Sequence, residues 1–240
     1  MELLSPKAFP DLTEAECIAI QRQLAPLTVQ HGPLTAQSVR TAAGVDIAYW
    51  QEGETERAVC CIVVIDCETG QVVEKRHAAG TVSVPYRPGC LAFRELPLVL
   101  EAAEGLSAPP ELYLFDGNGI LHPRGMGLAT HASFYLNAPT AGLAKHYFRV
   151  EGASLTQPQA AAGSYSDIVK DGTVLGRALR THQGVRPVYV SVGNRVDIDT
   201  VTALALRLTD RESRIPRPTR LADLETHAMR RVLRDGAPLG

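Results

Sequence analysis

GVDIAYWQEGETERAVCCIVVID, residues 44–66, is the stretch that decides the fold, because it contains two consecutive strand patterns. Its first residues alternate in polarity, so that Asp46 faces away from the apolar side chains of the same strand. Its end, residues 58–66, is a continuous apolar run, which is typical of a strand buried on both faces. The turn CETG then leads into a third strand pattern at residues 71–80. These strands predict an antiparallel meander at the start of the core.

Helix and strand patterns alternate along the rest of the chain. A meander followed by this alternation suits a mixed sheet flanked by helices, so we predict a single α/β domain over residues 1–240. Thr13, with Glu16 three positions later, predicts the N-cap of the first helix. Residues 151–170 are interpreted as a loop, and RIPRPTR at 214–220 as a stiff basic loop. The predicted helices are 11–27, one that ends near 104, 127–137, 197–209 and 221–235, and the later predicted strands are 111–117, 138–145, 174–180 and 186–194.

Composition and cysteine usage narrow the class of protein. The formal net charge of −2 shows no overall basic character of the kind that indicates a nucleic-acid partner, although local basic patches can still bind nucleic acid. The five cysteines are scattered and form no C-x-x-C pair, which favours a reducing compartment. The chain shows no signal-peptide pattern and no apolar run long enough to span a membrane. We therefore expect a cytoplasmic protein that is not in a membrane, and nothing indicates an obligate dimer, so we expect a monomer.

Three acidic residues stand where chemistry is expected. Asp116 ends a buried strand, and ligands bind beyond the carboxyl ends of strands in open α/β sheets. Glu95 lies in line with the core-facing stripe of its helix, and a carboxylate directed inward needs a partner. Taken singly, Asp46 is explained as a solvated strand residue, Asp116 as a turn residue and Glu95 as an acid at a helix N-terminus. Taken together, three oxygen ligands from separate elements suit Mg²⁺, a hard cation.

Other motifs are weaker or absent. Lys145 ends a strand and Tyr86 lies on a loop bracketed by two prolines, but each alone is explained as an ordinary surface residue. His122 has no second histidine or cysteine at zinc-type spacing. The stretch DGNGILH lacks the third glycine of a dinucleotide loop, and there is no phosphate loop of the GxxxxGK[ST] type and no GxSxG elbow. Because these three motifs are incomplete or missing, the sequence does not support a dinucleotide-binding oxidoreductase site, a P-loop or a serine hydrolase site.

Five ordered segments carry a family resemblance: AGVDIAYW, VPYRPGCLAFRELPLVLEA, LFDGNGILHPRGMGLATH, APTAGLAK and RIPRPTRLADL. In these segments, from residue 43 to about 225, the chain resembles the endonuclease V (deoxyinosine 3′-endonuclease) family. The resemblance implies an RNase H-like fold. It also implies a DNA repair enzyme that uses Mg²⁺, for which Mn²⁺ can substitute, and recognises deaminated bases, chiefly deoxyinosine. Such an enzyme cuts the second phosphodiester bond on the 3′ side of the lesion and leaves 3′-hydroxyl and 5′-phosphate ends.

The resemblance also implies roles for individual residues. Asp46, Glu95 and Asp116 correspond to the metal-binding catalytic carboxylates of the family. Asp223 matches a family position, occupied by Asp or His, near the metal. Lys145 matches the catalytic lysine beside the scissile phosphate.

For the substrate, the resemblance implies a wedge and a base pocket. Tyr86 matches the wedge residue that enters the duplex while the altered base turns out, and a stiff, proline-bracketed loop suits this role. Glycines in such a pocket let backbone groups approach the base edge closely. The expected substrate-binding residues are Tyr86, Gly89, Leu91, Gly117, Gly119 and His122.

Three residues depart from the family pattern and three alternatives stay open. Arg87 stands in place of an aliphatic residue, His146 in place of a serine and Asn194 in place of a histidine. The first alternative is an endoribonuclease that acts on inosine-containing RNA, since the 2′-hydroxyl decides between the two substrates and no residue reports on it. The others are a lesion-binding module without catalysis and a general α/β ligand-binding domain. The three acids argue against the second alternative, because a module without catalysis is expected to have lost a ligand.

Overall fold

Strands from both halves of the chain form one mixed sheet in a computed structural model that describes residues 3–235. The remaining positions of the predicted domain, 1–2 and 236–240, lie outside the described residues. The strands are Thr41–Glu52 (β1), Thr55–Asp66 (β2), Val72–Thr81 (β3), Leu112–Phe115 (β4), Thr140–Ala144 (β5), Ser154–Leu155 (β6), Tyr165–Lys170 (β7), Thr173–Leu179 (β8) and Val188–Asn194 (β9). The helices are Glu14–Leu24 (α1), Leu91–Glu104 (α2), Leu128–Leu136 (α3), Ile198–Arg207 (α4) and Arg217–Arg234 (α5).

The sheet has the order β3-β2-β1-β4-β5-β9-β8-β7-β6. The first three strands form the predicted antiparallel meander, and β4 and β5 then join β1 in parallel. Helices cover both faces, with α2 and α3 over one core and α4 with part of α5 over the other. The predicted α/β class and mixed sheet are therefore confirmed. Within residues 3–235, no helix has both the length and the apolar character needed to cross a bilayer.

Strand β1 outruns its neighbour β4, and this difference creates the site. The last residue of β4, Phe115, pairs with Val45, and the amide of Asp116 donates to the carbonyl of Val45 (3.0 Å). From Asp46 onward β1 therefore has no ladder partner on the β4 side. Val45, Ile47 and Tyr49 of β1 belong to the core under α2, whereas Asp46 lies on the opposite face of the strand, as predicted, and faces α5. The end of β4 thus opens a gap in the sheet edge beside Asp46.

Two predictions about local structure were wrong in part. Residues 151–170 are not all loop, because they contain β6 and β7. Asp171 and Gly172, with φ values of 48° and 78°, form the tight turn of a hairpin that joins β7 to β8. A DG turn of this kind is a strong hairpin signal, and the Gly- and Ala-rich stretch before it hid the strand. Helix α5 begins at Arg217 instead of 221, because a proline is favoured in the first turn of a helix.

The start of α1 is as predicted. The Thr13 side chain accepts from the amide of Glu16, and Glu16 accepts in return from the amide of Thr13 (2.8 Å), which forms a capping box. The five cysteines are free and buried.

Candidate metal centre and base pocket

Three carboxylates converge at the gap beside the end of β4. One oxygen from each of Asp46, Asp116 and Asp223 lies within 4.8 Å of the others. Asp46 comes from β1, Asp116 follows β4 and Asp223 lies on the second turn of α5. Sequence reasoning named all three residues for the metal site, and the structure brings one oxygen of each together in the cluster.

Asp46 is half-buried and accepts a hydrogen bond from a residue of α5. Its Oδ2 accepts from the hydroxyl of Thr226 (2.7 Å), a fully buried residue one turn after Asp223. Burial raises the pKa of Asp46 to about 6, against the hydrogen bond from Thr226, which lowers it. Thr226 was missed by sequence reasoning, although its spacing from Asp223 puts both on one face of a helix.

Lys145 bridges two members of the cluster. Its Nζ lies 2.6 Å from Oδ2 of Asp116 and 2.8 Å from Oδ1 of Asp223. Burial alone would lower the pKa of Lys145, but the hydrogen bonds to these carboxylates outweigh it and raise the pKa to about 12. The ammonium group is therefore held, protonated, beside the carboxylates.

Glu95 lies next to this cluster but does not belong to the set that converges within 4.8 Å. It points into the core from α2, as predicted, and its Oε1 accepts from the hydroxyl of Tyr49 (2.7 Å). Burial raises the pKa of Glu95 to about 7, the Tyr49 hydroxyl lowers it, and the charges of Asp46 and Asp116 raise it further. The partner that an inward carboxylate requires is thus a tyrosine from β1, which sequence reasoning did not identify.

The donor set fits a hard cation. Carboxylate oxygens are the ligands that Mg²⁺ prefers, and like charges held this close favour a divalent counter-ion. The residues that could hold such an ion are Asp46, Asp116 and Asp223, with Glu95 beside them.

A cavity of about 200 Å³ opens directly beside the carboxylates. It begins at Gly117, the residue after Asp116, and reaches the loop that carries Tyr86. Tyr86 is 67% exposed, so this large ring stands free at the cavity instead of packing into the core. The cavity is lined by Tyr86, Gly89, Leu91, Ala92, Gly117, Asn118, His122, Met126, Gly127, Leu128 and Phe148. Five of the six predicted substrate-binding residues therefore share one pocket.

Comparison with known proteins agrees with this arrangement. Residues 23–224 match the family model described as Endonuclease V. The chain belongs to the endonuclease V family. Endonuclease V of Bacillus subtilis (strain 168) is 51% identical over 193 residues, which is 80% of this chain and 81% of that protein. A member of this family is a nuclease that uses a metal, and the carboxylate cluster could bind such an ion.

Solved endonuclease V structures share the fold. The crystal structure of Bacillus subtilis endonuclease V has a TM-score of 0.92 at 44% identity and covers 98% of this chain and 99% of that chain. Ciona intestinalis endonuclease V, in complex with a 24mer DNA containing an inosine followed by a ribo-adenosine, has a TM-score of 0.82 at 24% identity, covering 91% of this chain and 98% of that chain. The RNase H-like α/β fold implied by the resemblance is therefore confirmed as the endonuclease V fold.

Gly119 is the one predicted substrate-binding residue that does not line the cavity in this endonuclease V. A Cβ at Gly119 would lie 2.0 Å from the carbonyl oxygen of Val192, so the glycine allows the loop to pack closely against β9. Its amide donates to the hydroxyl of Ser191 (2.8 Å). Gly119 thus positions the loop that carries Gly117.

His122 forms a wall of the pocket and has both ring nitrogens engaged. Its Nδ1 accepts from the amides of Arg124 (3.2 Å) and Met126 (3.3 Å), so Nε2 donates to the carbonyl of Gly89 (3.0 Å). Burial, aided by the charge of Arg124, lowers the pKa of His122 to about 4. The neutral ring is parallel to Phe148, with centroids 6.0 Å apart. His122 therefore shapes the pocket, and no ring nitrogen is free to bind a base.

The carbonyl of Gly89 is the centre of a hydrogen-bond network that sequence reasoning missed. Besides His122, it accepts from Nη2 of Arg124 (2.7 Å) and from Nε2 of Gln21 (2.8 Å). Gln21 of α1 is fully buried, and its Oε1 accepts from Nε of Arg124 (2.6 Å). Gly89 has a φ of 73°, which favours glycine. These hydrogen bonds join α1 to Gly89 and Met126, which line the cavity, and no short-range sequence signal predicts them.

The departures from the family pattern have structural explanations in two cases. Nη1 of Arg87 contacts Sγ of Cys17 (3.7 Å), which ties the Tyr86 loop to α1. Asn194 accepts from the amide of Val29 (2.8 Å) and donates to the hydroxyl of Ser133 (2.9 Å). His146 is exposed beside Lys145.

Proposed function

We propose that this endonuclease V hydrolyses, with Mg²⁺, the second phosphodiester bond 3′ to deoxyinosine or another deaminated base in DNA. The observation that carries the proposal is the adjacency of Asp116, in the carboxylate cluster, to Gly117, in the base pocket. A base in the pocket would hold the following phosphates of the same strand close to the cluster. The products would carry 3′-hydroxyl and 5′-phosphate ends.

Asp46, Asp116 and Asp223 would hold the ion, with Glu95 as a further carboxylate, and Mn²⁺ would substitute for Mg²⁺ at the same oxygens. A bound ion of this kind lowers the pKa of its water ligand and offsets the charge on the phosphate and leaving oxygen. Thr226 keeps Asp46 oriented, and Tyr49 does the same for Glu95. Lys145 adds a second positive charge where the phosphate would arrive.

Tyr86 would enter the duplex as the wedge while the altered base turns into the pocket. Extrusion of a base needs a few kcal/mol, and least for a base that pairs poorly, so deaminated bases are favoured. A ring that is two-thirds exposed on a loop tied to α1 is available for this role. The Ciona intestinalis relative, which is in complex with inosine-containing DNA, supports a base of this class.

The pocket would read the base with groups that His122 leaves free. Hypoxanthine has a carbonyl where adenine has an amine, so a fixed donor separates the two bases. Gly117 and the first residues of α2 line the pocket. The carboxamide of Asn118 also lines it, and its Oδ1 is buried without a hydrogen-bond partner.

The decisive experiment uses a duplex with one deoxyinosine, mapping of the cut site, and an adenosine duplex as reference. We expect one nick at the second linkage 3′ to the inosine with Mg²⁺ and none with EDTA. Asp116→Ala should nearly abolish nicking while binding persists, whereas the exposed control Asp11→Ala should nick normally. Normal nicking by Asp116→Ala would refute the assignment of the site, and binding without any nicking by the wild type would favour a lesion-binding module.

A second candidate is an endoribonuclease for inosine-containing RNA. The ribo-adenosine after the inosine in the Ciona intestinalis complex shows that a relative accommodates one ribonucleotide at this place. Matched DNA and RNA substrates separate the two functions. A kcat/KM higher for inosine RNA than for deoxyinosine DNA would replace the first proposal with the second.

We further propose that the protein acts as a monomer in the cytoplasm. Free, buried cysteines suit a reducing compartment. Light scattering coupled to size exclusion tests the first point, since a stable dimer would contradict it. Fractionation of the host cells tests the second.

A further inference from the structure

Three arginines in RIPRPTR, residues 214–220, differ in how their charge is offset. Arg217 lies 3.2 Å from a carboxylate oxygen of Asp210, and Arg220 lies 2.8 Å from one of Glu212. Arg214 has no carboxylate within ion-pairing distance among residues 3–235. Its guanidinium donates instead to the carbonyl oxygens of Pro187 (3.0 Å) and Lys145 (3.3 Å). Arg214 is therefore the arginine of this segment whose full charge is held in place without a paired anion.

The location of Arg214 relates it to the carboxylate cluster. Along the edge of the sheet, β4, β5 and β9 are neighbours, so Asp116, Lys145 and Pro187 follow one another. Arg214 contacts the last two of these residues from the far side of Lys145. The next residue, Ile215, packs into the core under α4 and α5, whereas the base pocket lies against α2 and α3. The cluster thus lies between the base pocket and Arg214.

The surroundings of Arg214 favour an incoming anion. The side chain is partly buried, and burial together with the nearby charge of Arg186 lowers its pKa, while Asp116 attracts it from beyond Lys145. A guanidinium has five N–H donors in a planar fork, and the two carbonyls engage one hydrogen on each terminal nitrogen. The free donors match the oxygens of a phosphate.

We propose that Arg214 binds a backbone phosphate of the cut strand on the 3′ side of the scissile bond. The proposal rests on the proposed function, because the cut lies 3′ to the base in the pocket. A strand that leaves the pocket and crosses the cluster next reaches Lys145 and then Arg214. The carbonyls of Pro187 and Lys145 fix the guanidinium before the strand arrives.

The test is a double-mutant cycle between Arg214 and single phosphates. Arg214→Met keeps the apolar stem and removes the charge. Affinities for deoxyinosine duplexes are measured by fluorescence anisotropy in EDTA, with one neutral methylphosphonate placed in turn at the scissile linkage and at each of the next few linkages 3′ to it. We expect Arg214→Met to raise Kd about tenfold and to reduce the slope of log Kd against log salt by about one. At one linkage 3′ to the cut, neutralisation should raise Kd for the wild type and leave it unchanged for the variant.

Arg220→Met is the matched control, because Arg220 belongs to the same segment but is paired with Glu212. We expect it to raise Kd less than twofold and to couple to no linkage. The proposal would be overturned if the effects of Arg214→Met and of phosphate neutralisation on Kd were additive at every linkage. It would also be overturned if Arg214→Met and Arg220→Met had equal effects on Kd.

Two further measurements separate the possible failures. If Arg214→Met does not fold, the wild-type scan still decides, since affinity that is insensitive to every linkage 3′ to the cut contradicts the proposal. Wild-type nicking on inosine and adenosine duplexes is recorded alongside. Absence of inosine-specific nicking rejects the proposed function, whereas normal nicking with no coupling at Arg214 rejects this inference alone.

Discussion

The half-buried carboxylate of Asp46 and the buried carboxylate of Glu95 are each held by one hydroxyl. Thr226 donates to Asp46 and Tyr49 donates to Glu95. In both cases burial favours the protonated acid and the hydroxyl favours the ionised one. The hydroxyls therefore keep these acids oriented and ready to serve as anionic ligands.

Tyr49→Phe should weaken the site without altering its shape. Loss of the hydroxyl raises the pKa of Glu95 further above about 7, so less of it is ionised at neutral pH. We expect the acid limb of the pH–rate profile to move to higher pH, the half-saturating Mg²⁺ concentration to rise, and kcat/KM at pH 7 to fall about tenfold. Tyr147→Phe is the control, because the Tyr147 hydroxyl is buried without a partner. An unchanged pH profile in Tyr49→Phe would contradict the role of Tyr49.

His131 of α3 should make stability depend on pH. It is fully buried, both ring nitrogens lack a partner, and burial lowers its pKa to about 3. Below pH about 6.5 the unfolded chain binds a proton at this position and the folded chain does not, so stability falls as pH falls from about 6.5 towards 3. Above this range both states are neutral and the residue has no effect on the pH dependence.

His131→Leu should reduce that loss. The variant removes the titrating group and two unpartnered polar atoms, so we expect the difference in unfolding free energy between pH 7.5 and pH 5 to shrink by about 1–2 kcal/mol. Urea unfolding at the two pH values measures it. Equal differences for variant and wild type would show that His131 does not carry this dependence.

Helix α1 supports the proposed base pocket, although its residues lie far from the pocket residues in the sequence. Gln21 uses its amide group to connect Gly89, Arg124 and Met126, and Arg87 contacts Cys17 of the same helix. The Tyr86 loop has no regular secondary structure of its own, so these contacts hold it in place. The wedge role proposed for Tyr86 needs such support, because a loop that yields cannot separate stacked bases.

Gln21→Ala should loosen the Tyr86 loop. The change leaves the carbonyl of Met126 without this donor and opens a cavity, so we expect a loss of about 3 kcal/mol in unfolding free energy. Hydrogen exchange at residues 85–92 should accelerate, and KM for the inosine duplex should rise more than kcat falls. The exposed Gln23 on the same helix is the control, and Gln23→Ala should leave exchange and KM unchanged. If residues 85–92 of Gln21→Ala were as protected from hydrogen exchange as those of the wild type, the hydrogen-bond network around Gly89 would not be what holds the loop.

Elements from distant parts of the chain converge at the carboxylate cluster. Strand β1, the end of β4, the end of β5 and the start of α5 each contribute one charged side chain to it. Because the acids lie this close, the folded chain carries a repulsion that a divalent ion would offset. The site therefore couples the position of α5 to the sheet.

Mg²⁺ should stabilise the folded protein through this cluster. An ion that binds the folded chain alone adds about 2.7 kcal/mol at a hundredfold excess over its Kd, so the melting temperature should rise in Mg²⁺ and fall again with EDTA. Asp223→Ala should abolish most of this rise, and Asp11→Ala should preserve it. An undiminished rise in Asp223→Ala would place the ion elsewhere.

The local structure of this chain could be predicted from its sequence, because alternation, apolar runs and caps are short-range signals. The strands at 44–66, the helix ending at Glu104 and the Thr13 cap follow from them. The same signals failed where composition hid a strand at Tyr165–Lys170 and where Pro218 entered a helix. Residue types and family resemblance also named the carboxylates before their geometry was known.

The tertiary structure decided which of these groups meet. The early end of β4 beside Asp46, the crossing of α5 that brings in Asp223 and Thr226, and the pairing of Glu95 with Tyr49 all depend on contacts distant in sequence. Such contacts are set by packing and register, which no local periodicity encodes. For the same reason the sequence marked Arg214, Arg217 and Arg220 alike, whereas the folded chain pairs two of them with carboxylates and leaves Arg214 beside the cluster.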